Sequence, residues 1–237
     1  MKSLPFTSLV LLWCPLSSPS HAAEAGKRAW PKVLLLGDSI TEQAVGPTPA
    51  PWSALLAQHL HRKADIVNRG ASGYTTRGYK LIFDEAVQEL DPESVAVVLI
   101  MLGTNDSIQP PVSRTVPLPE YQSNLNTLLN YLKNFGVSGD RVIIASPPPS
   151  TNMHVPAVTE KYAQTALKVA EDRGVTAIDI HSIFKKDPRG DALFADGVHF
   201  NVDGARLFYD SIRVPVEEKL KHYEGRTELV HHFGPPS

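Results

Sequence analysis

Cysteine is nearly absent: the chain of 237 residues has one, Cys14. A single thiol excludes an intrachain disulfide framework and a cysteine-rich zinc site. Net charge is nearly absent too, with 23 basic against 25 acidic side chains and a formal balance of −2. Without a basic field to hold a phosphate backbone, no nucleic-acid partner is expected. Long apolar runs are also missing. The apolar stretch at the amino end covers 4–16 and contains Pro5 and Pro15, short of the ~20 residues that a membrane-spanning helix needs, so no permanent membrane anchor is expected. Among the histidines, His59, His61, His154 and His181 include no pair at helix-face metal spacing with a carboxylate to complete it. These histidines are expected at the surface, and no metal is expected.

What the amino end does contain is Lys2, the apolar stretch and then Ser20-His21-Ala22, a small-x-small site. This is the layout of a secretory signal peptide over 1–22. The expectation is a secreted or periplasmic protein if the leader is cleaved, and a cytoplasmic one if it is not.

Past residue 30 the chain alternates between two kinds of segment. Short apolar runs at 33–36, 66–67, 95–102, 142–145 and 175–180 are bounded by Gly, Pro, Asp or Asn and read as buried strands. Between them lie stretches of helical period at 51–62, 76–90, 158–173 and 203–221. The clearest carries Tyr121, Leu125, Leu128, Leu129 and Leu132 on one face, with Pro119 to start it and Gly136 to end it in a left-handed cap. Pro215 is expected to kink or split the last helix. Repeated βαβ units make the sheet parallel and cover both its faces. The expected fold is an α/β class, three-layer α/β/α sandwich with a five-stranded, mainly parallel sheet, occupying 31–222 as one domain, with 223–237 a loosely held tail.

In such sheets the ligand site lies outside the carboxyl ends of the strands. Four polar or Gly-rich clusters fall there: Gly37-Asp38-Ser39-Ile40-Thr41, Asn68-Arg69-Gly70-Ala71-Ser72-Gly73, Gly103-Thr104-Asn105-Asp106 and, before the last helix, Asp196-Gly197-Val198-His199. A serine hydroxyl needs a base to take its proton, and that base needs a carboxylate to orient it. Ser39, His199 and Asp196 are one of each. Gly73 can offer an unobstructed backbone N–H and Asn105 a side-chain amide to an oxyanion, beside the N–H of Ser39 itself. Asp38 is expected to hold its turn by hydrogen bonds to nearby N–H groups. Tyr74, Trp52 and Met101 are candidates for the pocket wall or for the core.

With these residues in place, the sequence resembles the SGNH, or GDSL-type, serine hydrolases. GDSIT holds the serine at Ser39, ASGYTT maps the functional glycine to Gly73, GTND matches at Asn105 and DGVHF at Asp196 and His199. Within that family, NRGASGYTTR, PLPEYQSNLNTLLNYLK and DGVHFNVDG are similar to isoamyl acetate-hydrolysing esterases, over roughly 33–220. The resemblance implies a flavodoxin-like sheet, a Ser-His-Asp triad, a Ser/Gly/Asn oxyanion hole, no cofactor, and a small-molecule ester substrate of the short-chain, acetate type. The family also implies alternatives: a carbohydrate O-acetyl esterase, or a lysophospholipase or thioesterase. The loops at 43–51 and 147–156 are where such enzymes shape the acyl pocket. A non-enzyme reading is a flavodoxin-like module binding phosphate or FMN; it leaves Asp196 and His199 without a purpose.

Overall fold

The computed structural model describes residues 30–45, 51–109, 114–150, 156–221 and 223. The segment 1–22 expected to be a signal peptide, the loop ends at 46–50 and 151–155, His154 and nearly all of the tail lie outside the described residues. Five strands form one parallel sheet: β1 (Lys32–Gly37), β2 (Asp65–Gly70), β3 (Val95–Met101), β4 (Val142–Ala145) and β5 (Thr176–Ile178), in the order β2-β1-β3-β4-β5. Strands β1, β3 and β4 are all but fully buried along their apolar residues, as expected of central strands covered on both faces.

Among the described residues, seven α-helices surround the sheet: α1 (Ser39–Glu42), α2 (Trp52–His59), α3 (Thr76–Val87), α4 (Leu118–Phe135), α5 (Pro156–Asp172), α6 (Ile180–Lys186) and α7 (Val202–Lys221). Alternate side chains of the strands point to opposite faces, and each face has its own core. Val33, Leu35, Val97 and Leu99 pack with Trp52 and Leu56 of α2 and with Phe208, Ile212 and Val216 of α7. Leu34, Leu36, Val98 and Ile100 pack with Tyr79 and Phe83 of α3, the Tyr121 to Leu132 stripe of α4, and α5. Trp52 and Met101 are therefore core residues, 1% and 2% exposed.

Helix α4 ends as its sequence suggests: Gly136 takes φ 107° and its N–H bonds the carbonyls of Leu132 and Lys133. Helix α7 is not split at Pro215: it runs unbroken across the proline. Ile212, Val216 and Leu220 on both sides of the proline are buried in the same core, and their burial, at about 1.5–3 kcal/mol each, outweighs the roughly 3 kcal/mol that an interior proline costs. The fifth strand is shorter than the apolar run at 175–180. Asp179 accepts the Ser182 N–H at 3.0 Å, which caps α6 and turns the chain out of the sheet. His181 is consequently folded inward and not at the surface: it is 4% exposed, and burial holds its ring below the ordinary histidine pKa, in the neutral form.

Candidate active site

The order of the strands places the site. The chain crosses from one side of β1 to the other between β2 and β3, and ligands bind at such a switch point. Gly37 is registered with Gly70 on β2 and Met101 on β3, so three neighbouring strands leave the sheet at one level.

Above β1, Asp38 caps α1 by accepting the Ile40 N–H at 3.0 Å, as its place in the turn suggests, and Ser39 takes the first helical position. The indole N–H of Trp52 donates to Ile40 O at 3.0 Å and fixes this short helix to the core beneath it. Above β2, the Asn68 amide donates to Thr41 O at 2.6 Å and its oxygen accepts the Gly70 N–H at 2.8 Å. A Cβ on Gly70 would lie 2.1 Å from Glu42 N, so only glycine lets the two loops close this tightly. Glu42 then accepts both the N–H and the hydroxyl of Ser72, and Gly73 follows at φ 76°. Above β3, the Asn105 amide donates to Tyr74 O at 2.9 Å, so the glycine and asparagine loops are joined directly. Next to it, Asp106 accepts the N–H and hydroxyl of Thr76 at the start of α3.

The fourth loop reaches this edge from the far end of the chain. Phe194 and Phe200 pair in an antiparallel bridge and pack with Phe184 and Phe208, which anchors the turn between them. Within it, Asp196 Oδ1 accepts the N–H groups of Val198 at 2.9 Å and His199 at 2.8 Å. Asp196 Oδ2 stands 2.7 Å from His199 Nδ1, and His199 Nε2 stands 2.8 Å from Ser39 Oγ. Facing a carboxylate, Nδ1 carries the ring proton, which leaves Nε2 to accept from the serine. Partial desolvation pushes the Asp196 carboxyl up, but the His199 ring and the two N–H groups outweigh it and hold the carboxyl below the ordinary aspartate value. It stays ionised. With side chains 50% and 28% exposed, the Asp196–His199 pair adds little stability, and what it does is orient the ring.

Ser39, Asp196 and His199 thus meet in one chain of hydrogen bonds, with Gly73 and Asn105 in the adjoining loops. Tyr74 is 37% exposed beside Gly73. Among the described residues no cluster of three His, Cys, Asp or Glu side chains stands close enough to hold a metal ion, and none of the helices is long and apolar enough to cross a membrane. The supporting residues Glu42 and Ser150 carry no signal in the sequence alone, and the partners of Asn68 and Thr76 are not legible there. Ser150, for example, donates to Gly197 O at 2.9 Å from 47 positions away.

A parallel sheet in this strand order carries a serine, a histidine and an aspartate joined by hydrogen bonds above it. The chain belongs to the GDSL-like Lipase/Acylhydrolase family, whose profile matches residues 35–207. It is 31% identical over 223 residues to the isoamyl acetate-hydrolyzing esterase 1 homolog of Mus musculus, covering 86% of this chain and 89% of that one. In fold it is similar to the lipase/acylhydrolase of Enterococcus faecalis, with a TM-score of 0.68, 21% identity and coverage of 80% and 96%. It is also similar to the acetylxylan esterase of Geobacillus stearothermophilus, with a TM-score of 0.64, 25% identity and coverage of 78% and 94%.

Proposed function

We propose that the chain hydrolyses short-chain, acetate-type carboxylic esters by two-step acyl transfer. His199 Nε2 takes the Ser39 proton as Ser39 Oγ bonds to the ester carbonyl carbon. The carbonyl oxygen becomes an oxyanion, held by the backbone N–H groups of Ser39 and Gly73 and by the Asn105 amide. The Ser39 N–H suits this role because the first N–H groups of a helix have no carbonyl partner within it. His199 then protonates the departing alcohol, and a water molecule, activated by the same ring, releases the acid and restores Ser39.

The observation that carries this reading is the 2.8 Å approach of His199 Nε2 to Ser39 Oγ, made by residues at opposite ends of the chain. The acetate preference is supported by the name of the mouse relative, and the acetylxylan esterase neighbour supports a carbohydrate O-acetyl ester as the second reading. We take 31–222 to be the catalytic domain and 1–22 a cleaved export signal, which favours the carbohydrate ester. A serine-directed organophosphonate is expected to label Ser39 and abolish turnover of nitrophenyl acetate, as is Ser39→Ala. Label on another serine, or full activity in the variant, overturns the assignment. Comparing nitrophenyl acyl esters with acetylated xylan separates the two substrates.

A further inference from the structure

Arg114 stands apart from the other arginines among the described residues. Arg69 and Arg77 pair with Glu89 and Glu120, and Arg189, Arg206 and Arg213 pair with aspartates. Arg141 and Arg173 bond carbonyl or amide oxygens, and Arg62 is engaged as well. Arg114 holds no oxygen. The nearest acid on the following helix, Glu120, is taken at both oxygens by Arg77, at 2.6 and 2.7 Å.

Its position is nevertheless fixed. The next residue, Thr115, donates its hydroxyl to Ile108 O, and the Val116 N–H donates to Asp106 O at 3.0 Å. Val116 is fully buried, and its own carbonyl accepts the Tyr162 hydroxyl. The backbone beside Arg114 is therefore tied to the Asn105 loop, while its guanidinium reaches the glycine loop: a Cβ on Gly73 would meet Arg114 Nη1 at 3.1 Å. The side chain links the two loops that carry the oxyanion donors. Gly73, Tyr74, Arg77, Leu81, Ile82 and Arg114 help to line an open groove of about 400 Å³, with apolar and cationic side chains side by side.

A guanidinium presents a rigid fork of donors that matches the two oxygens of a carboxylate or phosphate. Here no oxygen among the described residues fills the fork, which stands beside Gly73. We propose that Arg114 makes this esterase selective for esters that carry an anionic group, a carboxylate or a phosphate, within reach of the scissile carbonyl. The inference rests on the Ser39 reading above.

Two matched pairs test it and separate the sources of the anion. Nitrophenyl hydrogen succinate against its methyl ester places a carboxylate on the acyl side; acetylglycerol phosphate against acetylglycerol places a phosphate on the alcohol side. In at least one pair kcat/KM is expected to favour the anion by about tenfold, through KM, since a charged hydrogen bond at a solvent-exposed arginine keeps part of its full strength. Arg114→Gln should bring that ratio close to one, Arg114→Lys should keep part of it, and rising salt should shrink it in the parent enzyme. A ratio near one in both pairs, or a preference unchanged in Arg114→Gln, overturns the proposal. So does an equal loss of kcat for charged and neutral partners, which would make Arg114 an oxyanion donor. Failure to hydrolyse any of the four esters, or turnover that survives Ser39→Ala, overturns the Ser39 reading and this one with it.

Discussion

Asn105 has one duty that the structure shows and a second that the proposed mechanism gives it, and the two are separable. Its amide nitrogen gives one hydrogen to Tyr74 O and has a second to offer an oxyanion. If that second bond forms fully only when the carbonyl becomes tetrahedral, Asn105→Ala should lower kcat by roughly 10²- to 10³-fold with KM little changed. Loss of the Tyr74 bond alone would cost about 1 kcal/mol of stability and leave the folded enzyme active; kcat and the melting midpoint of one variant distinguish the two. Asp38 makes a different prediction. Burial raises its carboxyl from 3.8 to about 7, the charge of Asp106 adds to this, and the Ile40 N–H and His199 pull it back only partly. The folded state therefore binds this proton more tightly than the unfolded chain does. That stabilisation is complete below the unfolded value of 3.8 and is lost as pH rises toward 7. Asp38→Asn keeps an acceptor for Ile40 and cannot titrate, so its unfolding free energy relative to the parent should climb between about pH 4 and pH 7, by up to about 4 kcal/mol at about 1.4 kcal/mol per unit. A constant difference across that window contradicts the buried-acid account.

At the scale of elements, apolar period and punctuation made most of the fold readable. The α4 stripe and its Gly136 cap, the strand positions and the four loop clusters all follow from local sequence, because each is set by residues a few positions apart. What was not readable has a common cause. Both the unbroken α7 and the inward turn of His181 depend on what distant residues bury, which no local pattern reports. The candidate site divides in the same way: Ser39, Gly73, Asn105, Asp196 and His199 stand in recognisable blocks, whereas Glu42, Asn68 and Ser150 matter through partners across the fold. The α7 finding is testable. Pro215 gives no N–H to the Ser211 carbonyl, so Pro215→Ala should restore that bond and relieve the ring clash, less the entropy that proline removes from the unfolded chain. A gain of about 1–2 kcal/mol, or a rise of roughly 2–6 °C in melting temperature, is expected; a lower midpoint would show that the ring itself packs favourably.

For the molecule as a whole, every described element begins at or after Lys32. Native protein purified from its source should begin near Ala23 if the leader directs export. Retention of Lys2 by terminal sequencing would place the enzyme inside the cell. The connection between Ser39 and His199 has a further consequence, for how the enzyme comes into being. The two residues are 160 positions apart, so at about 5–20 residues per second a ribosome makes the proposed nucleophile roughly 10–30 s before its proposed base. During that interval Trp52, whose ring will meet Phe208 at 4.7 Å, has no helix to cover it. On the proposed mechanism the nascent chain is catalytically silent while it presents a bare apolar helix to chaperones, and the onset of esterase activity marks the moment at which the final helix docks.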